Sequence, residues 1–239
     1  MRMKNKQLIQ LNNRQKHREL LRRERKNEPT FEREKPTKNE KPKILIVCEG
    51  KNTEPSYFRQ FRLSSATIEA IGEGFNTLSL VSRAIELSLK CRYDKKWVVF
   101  DRDPKPDNPS QASDFNEAIR LAKKNGFGVA YSNQAFEYWI ILHFNDHQGG
   151  PMDRRQYGQK INESLAQYSV YYDFTGCKLI TDEIFELLDG IDEHTRKDRK
   201  RLAIKRAKRN YKLFDHMNPA AEESSTTVYK LVEELLRYM

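Results

Sequence analysis

Cysteine is scarce in this chain: three in 239 residues, at Cys48, Cys91 and Cys177, with no CxxC pair. That excludes a cysteine-based zinc site and a disulfide framework, and it fits a reducing cytoplasm. Long apolar runs are missing too. The longest, Ile44 to Cys48 and Tyr138 to Leu142, are far too short to span a bilayer. The N-terminus has no continuous apolar stretch of the secretory type. Neither a GxGxxG nor a Walker A loop is present, so binding of ATP through those motifs is excluded. No internal repeat is found.

What is abundant is charge. Charged residues make up 33% of the chain, the mean hydropathy is -0.87 and the net charge is +10. The excess is local. Residues 1–43 hold 15 Lys/Arg and 6 Glu, a net of +9, so the remainder is nearly neutral. Such a segment can be an arm that neutralises phosphates or a solubilising leader. Its first part favours helix, and Pro29, Pro36 and Pro42 interrupt continuation. We therefore divide the chain into a basic leader over 1–42, disordered or helical, an α/β core over 43–150 and a helical extension over 151–239 that packs on the core.

Within the core, apolar runs alternate with helical periodicity. Ile44–Cys48 and Trp97–Phe100 read as strands buried on both faces, with further strands at Thr67–Ile71 and Phe127–Tyr131. Helices are expected near Pro55–Leu63, over Thr77–Lys90, after a Ser113 cap and after an Asn133 cap to Phe144. This alternation predicts a mainly parallel sheet flanked by helices. Beyond Pro151, four helical periods follow, carried by Tyr157, Ile161 and Leu165; by Ile184, Phe185 and Leu188; by Ala203, Ala207 and Tyr211; and by Val228, Leu231, Val232 and Leu235.

Open parallel sheets bind ligands beyond the carboxyl ends of their strands. Glu49 follows the first strand there, Asp101 and Asp103 follow Phe100, and Glu137 falls in the first turn of the helix after Asn133. In extended chain, residues two apart point the same way, so Asp101 and Asp103 can face one cation. Oxygen donors of this kind suit Mg²⁺, and no His/Cys cluster competes for a softer metal. The bland alternative is that each acid caps a helix or fastens a loop. For a single one, such as Glu49 before Gly50, that alternative is the better reading.

Three ordered stretches resemble the RloB-like family. They are Ile44 to Phe58 with its core Cys48-Glu49-Gly50-Lys51-Asn52-Thr53-Glu54-Pro55, then Phe100-Asp101-Arg102-Asp103, and Ser132-Asn133-Gln134-Ala135-Phe136-Glu137 running to Phe144. The resemblance is strong over residues 43–145 and weaker to Ser225–Leu231. It implies a Toprim-like fold, as in topoisomerases, primases and OLD-type nucleases. There a Glu after the first strand and an Asp-x-Asp after a later one bind Mg²⁺ or Mn²⁺ for phosphodiester chemistry. By that match Glu49, Asp101 and Asp103 take the first metal, while Glu54 and Glu137 are candidates for a second. The same resemblance implies a bacterial defence setting with an ABC-type ATPase partner. Two departures stand out: Gln134 replaces an expected proline, and Glu54 lies further from Glu49 than the spacing common in OLD-type enzymes.

The expected function is a metal-dependent nuclease acting on DNA or RNA, tRNA included. Its alternatives are a non-catalytic nucleic-acid-binding regulatory subunit and a primase-like nucleotidyl-transfer enzyme. His143, at the end of an apolar helical run, reads as a packed residue rather than a catalyst. Lys178 can stabilise transition-state charge, though a surface lysine is commoner. Arg196 to Lys212 holds 10 Lys/Arg against Asp198 alone, as a phosphate grip or a solvated helix face. Tyr168, Tyr171 and Tyr172 can stack on bases or pack in a core.

Overall fold

The computed structural model describes residues 41–104 and 110–239, so the basic leader expected over 1–42 lies almost wholly outside the described residues. Residues Lys41–Met239 form one compact unit.

Its centre is a four-stranded, all-parallel sheet of order β2-β1-β3-β4. The strands are β1 (Lys43–Cys48), β2 (Thr67–Gly72), β3 (Lys95–Arg102) and β4 (Gly128–Asn133). The apolar run of β1 has a simple cause: both faces of the strand are covered. Ile44, Ile46 and Cys48 face one apolar cluster, and Leu45 and Val47 face another.

Eight α-helices flank the sheet among the described residues. α2 (Thr77–Ser88) and α3 (Gln111–Lys124) bury Leu80, Val81, Ala84, Phe115, Ala118 and Ile119 on the Leu45 side. α1 (Thr53–Arg59) and α4 (Glu137–Phe144) bury Tyr57, Phe58, Trp139 and Ile140 on the Ile44 side. There they share one core with α5 (Tyr157–Leu165), α6 (Asp182–Asp189), α7 (Arg199–Tyr211) and α8 (Val228–Leu236). α4 is buried from Glu137 through His143, which explains why it is apolar almost all round. The architecture is thus Toprim-like α/β with a helical C-terminal part.

Two expected caps are corrected. Ser113 lies inside α3, where its hydroxyl donates to Ser110 O at 2.7 Å instead of capping the helix. Asn133 is the last residue of β4, not a helix cap, and its side-chain amide donates to Pro219 O and Ser225 Oγ, both at 3.2 Å. β4 runs on because the stretch after residue 223 covers its open edge. Thr226 bridges Ser132 in antiparallel sense, Thr227 N–H donates to Tyr131 O at 2.7 Å, and Asn133 N–H donates to Ser225 O at 2.9 Å. Ser224 through Thr227 are fully buried, and each hydroxyl has a partner. An edge strand with unpaired groups is thereby closed by polar residues that replace water.

The strand order fixes where a ligand can enter. The chain leaves β1 outward to β2 through α1 on one face. It returns to β3 on β1's other side through α2 on the opposite face. The crevice between the ends of β1 and β3 is the switch point of such a sheet.

A candidate acidic site at the switch point

Glu49 leaves β1 with its N–H donating to Val99 O of β3 at 2.9 Å. Its Oε2 accepts from the Asp101 N–H at 3.3 Å, so the two strand ends are tied together at the acids themselves. The next residue is Gly50, whose N–H donates to Glu54 Oε1 at 3.3 Å. A Cβ at Gly50 would meet Glu54 Oε2 at 2.1 Å, so a side chain there would push the Glu54 carboxylate out of place. Glycine at this position lets the loop fold down on the acid.

Four acids share the crevice. Glu54, in the first turn of α1, and Glu137, at the start of α4, are each 4% exposed. Asp101, near the end of β3, accepts from Phe136 N–H through Oδ2 at 3.0 Å, while its buried Oδ1 has no partner. Glu54, Asp101 and Glu137 line a cleft of about 170 Å³ whose wall is completed by Gly50, Lys51, Asn52, Thr53, Phe136, Arg154 and Lys178, while Glu49 is not among its lining residues.

The electrostatics follow from burial and crowding of like charge. Burial pushes the Glu54 carboxyl up from 4.5 to about 7; Glu137 and Glu49 add to the rise, while the Gly50 N–H opposes it. Burial and then Glu54, Glu137 and Glu49 hold Asp101 well above the usual carboxylate range. Even the Cys48 thiol, fully buried at the end of β1, is pushed up by burial and then by Glu54, with Arg59 opposing.

The remaining residues singled out by sequence are placed as follows. Asp103, just past β3, forms an ion pair with Arg154 and does not line the cleft. Burial pulls the Arg154 guanidinium down, but Asp103, Asp101 and Glu137 outweigh it and leave it raised. Lys178 lines the cleft, with its Nζ 4.8 Å from the Phe174 ring centroid. His143 is fully buried against Trp139, away from the cleft. Of the three tyrosines, Tyr172 is buried, Tyr171 is 70% exposed, and Tyr168 meets Arg199.

Sequence reasoning missed three contributors: Arg154, the Tyr172 hydroxyl and the Phe136 N–H. Tyr172 donates to Glu137 Oε1 at 2.9 Å and meets Thr53 Oγ1 at 3.3 Å. None carries a local signal, because each reaches the acids only through packing of the C-terminal helices on the sheet or through the turn into α4.

The donor set at the crevice is all oxygen, and Asp101 Oδ1 is left without a partner. Among the described residues, no three His, Cys, Asp or Glu are grouped closely enough to hold a metal ion by themselves. A hard cation such as Mg²⁺ does not require that, since it is commonly held by one or two carboxylates with waters and substrate oxygens completing the shell. The residues present therefore fit such an ion, with Asp101, Glu49, Glu54 and Glu137 as the available donors.

The family model described as RloB-like protein matches residues 44–235. No curated protein and no solved structure matches the chain.

Proposed function

The chain belongs to the RloB-like family, and from that premise we propose that it is a metal-dependent nuclease that hydrolyses nucleic-acid phosphodiester bonds with Mg²⁺ or Mn²⁺. One observation supports this most. Asp101 buries an unsatisfied carboxylate oxygen in the field of Glu54, Glu137 and Glu49. Such crowding is relieved by protons or by a cation, and cation binding is favoured wherever the acids stay ionised.

Such a cation, when bound, neutralises charge on the phosphate and acidifies a water molecule. The chain's own groups do the rest. Asp101 and Glu49, locked together across β1 and β3, are the first donors. Glu54 and Glu137 lie on the α1 and α4 side of the same cleft. Asp103 is available to join Asp101 once it parts from Arg154. In the metal-free cleft Glu54, raised to about 7 by burial and its acidic neighbours, can take up or release a proton near neutral pH. Arg154, Lys178 and Lys51 line the same wall and can orient a phosphate.

A second reading has an observation in its favour. Three of the acids accept a backbone N–H: Glu49 from Asp101, Glu54 from Gly50 and Asp101 from Phe136. Acids that merely fasten loops would do the same in a non-catalytic nucleic-acid-binding regulatory subunit. The family resemblance adds an ABC-type ATPase partner, a role in antiviral defence and a cytoplasmic location to the proposal. Among the described residues, no helix is long and apolar enough to cross a membrane.

Purified chain incubated with labelled DNA, RNA and tRNA, with Mg²⁺ or Mn²⁺ and with or without EDTA, separates the two readings. Metal-dependent cleavage is expected for the wild type. Glu49→Gln and Asp101→Ala should lose it by roughly 10²-fold or more while keeping the melting temperature. Cleavage by Glu49→Gln at the wild-type rate would end the nuclease mechanism. Absence of wild-type cleavage under every condition would favour the regulatory subunit.

A further inference from the structure

Of the 10 Lys and Arg between Arg196 and Lys212, eight lie on α7 or at its C-cap, and these eight divide into two sets. One set is used inside the fold. Lys200 is 1% exposed, pairs with Asp189 at 2.5 Å and lies over the rings of Phe61 and Phe185. Arg199 donates to Leu187 O at 3.0 Å and covers the Phe144 and Tyr168 rings. Arg206 donates to the carbonyls of Leu142 and His143, and Arg209 to Asp146 and the His147 carbonyl. These contacts fasten α7 to its neighbours.

The other set faces outward. With about 3.6 residues per turn, the buried Arg199, Ala203, Ile204, Ala207 and Asn210 define the inner side of α7. Arg201, Lys205, Lys208 and the C-cap Lys212 fall together on the opposite side. Arg201, Lys205 and Lys212 are exposed and their side chains have no partner among the described residues. Lys208 is half-buried and pairs with Glu233 at 2.6 Å. No Asp or Glu occurs from Arg199 to Lys212.

A helix face that only needed solvation would mix charge signs, because like charges four residues apart repel and opposite charges attract. Here Arg201–Lys205 and Lys208–Lys212 are both like-charged pairs at that spacing. The stripe runs for roughly 16 Å along the helix, enough to follow a phosphate backbone. None of its residues lines the acidic cleft.

We propose that the outer face of α7 docks nucleic acid by its phosphate backbone, as a binding surface separate from the acidic cleft. As to ligand class, this rests on the nuclease reading. Arg201, Lys205 and Lys212 are the three contacts, and Asp198, which caps the helix by accepting from Arg201 N–H at 2.8 Å, fixes where the stripe begins.

The test uses the full chain carrying Arg201→Glu, Lys205→Glu and Lys212→Glu together, with the matching triple Ala variant as a check should charge reversal disturb folding. Binding of a labelled duplex and of a folded RNA is read by fluorescence anisotropy across a salt series, with poly-glutamate as a competing acidic-protein probe. Each lost phosphate contact lowers the slope of log affinity against log salt by about 0.9 on duplex DNA, so the Ala variant should lose roughly 2–3 in slope. At least a tenfold loss of affinity is expected for the reversed chain. Unchanged slope and affinity in a folded variant would overturn the proposal, as would tighter binding of poly-glutamate than of nucleic acid to the wild type. Wild-type cleavage is assayed in parallel. Stripe-dependent binding without any cleavage would sink the nuclease reading and leave the docking surface standing, whereas cleavage with an unchanged slope would do the reverse.

Discussion

The Tyr172 hydroxyl donates to Glu137 Oε1 at 2.9 Å, joining the segment after α5 to the first residue of α4. The same hydroxyl meets Thr53 Oγ1 at 3.3 Å, and Thr53 donates to Lys178 O at 2.9 Å. One buried phenol thus holds a cleft carboxylate, the start of α1 and the loop that carries Lys178.

Tyr172→Phe keeps the packed ring and removes only that hydroxyl. Groups that orient metal-binding carboxylates typically matter by about 10–100-fold in affinity or activity. The variant should therefore show a smaller rise in melting temperature on Mn²⁺ addition and cleavage slowed by that factor. Its metal-free stability should fall by about 1–2 kcal/mol for the lost buried hydrogen bonds. A wild-type response to Mn²⁺ would remove Tyr172 from the site.

Glu54→Gln should stabilise the metal-free protein while abolishing cleavage. The Glu54 carboxyl is raised from 4.5 to about 7 by burial and by its acidic neighbours. The folded state therefore holds a proton that the unfolded state has already released, and its contribution to stability falls as pH rises from about 4.5 to 7. At pH 8 the buried carboxyl is mostly ionised, so Gln should gain on the order of 1–3 kcal/mol there and little at pH 4. Urea melts at the two pH values check it; a Gln variant less stable than wild type at pH 8 would contradict the crowding of charge.

His143 should impose the opposite slope. Its pKa is pulled from 6.5 down to about 3, mainly by burial with Lys200 and Arg206 adding to the fall, against the opposing bond to Trp139 O. Its Nδ1 lies 2.9 Å from that carbonyl and its buried Nε2 has no partner. An unfolded chain takes up a proton below pH 6.5 that the fold refuses, so this stability is complete above 6.5 and is lost toward pH 3, by up to about 1.4 kcal/mol per pH unit. His143→Leu should flatten the loss of stability between pH 6 and 4. An unaltered pH profile would show that the imidazole finds a way to carry its proton inside the fold.

Gln134→Pro should be strongly destabilising, although a proline was expected here from the family pattern. Gln134 has φ 76 and its N–H donates to Arg102 O at 2.9 Å. Proline is fixed near φ −65 and has no N–H, so the change should cost about 3 kcal/mol or more. Chemical denaturation measures it, and a loss below ~1 kcal/mol would mean the turn into α4 can be rebuilt.

The continuous apolar runs of β1 and β3, the α4 stretch and the four C-terminal helical periods were legible because burial on known faces leaves a periodic trace in the sequence. The acids at the ends of β1 and β3 were legible for the same reason: a strand's end is marked where its apolar run stops. Two details were not. Asn133 reads locally as a helix cap, and only the pairing of Ser225–Thr227 along β4 makes it a strand residue. The shared direction expected of Asp101 and Asp103 rests on extended chain, but β3 ends at Arg102, and Asp103 pairs with Arg154 from beyond Pro151.

By itself, then, the sequence determined the layered α/β order, the identity of Glu49, Asp101 and Glu137 as acids at strand and helix ends, and the concentration of positive charge. These follow from period and composition, which act over a few residues. Tertiary structure alone decided that Glu54 turns back onto Gly50, that Tyr172 grips Glu137, and that about half of the basic groups around α7 serve the interior. Those outcomes depend on which distant segments pack together, and on carboxylates and guanidiniums seeking partners once water is removed.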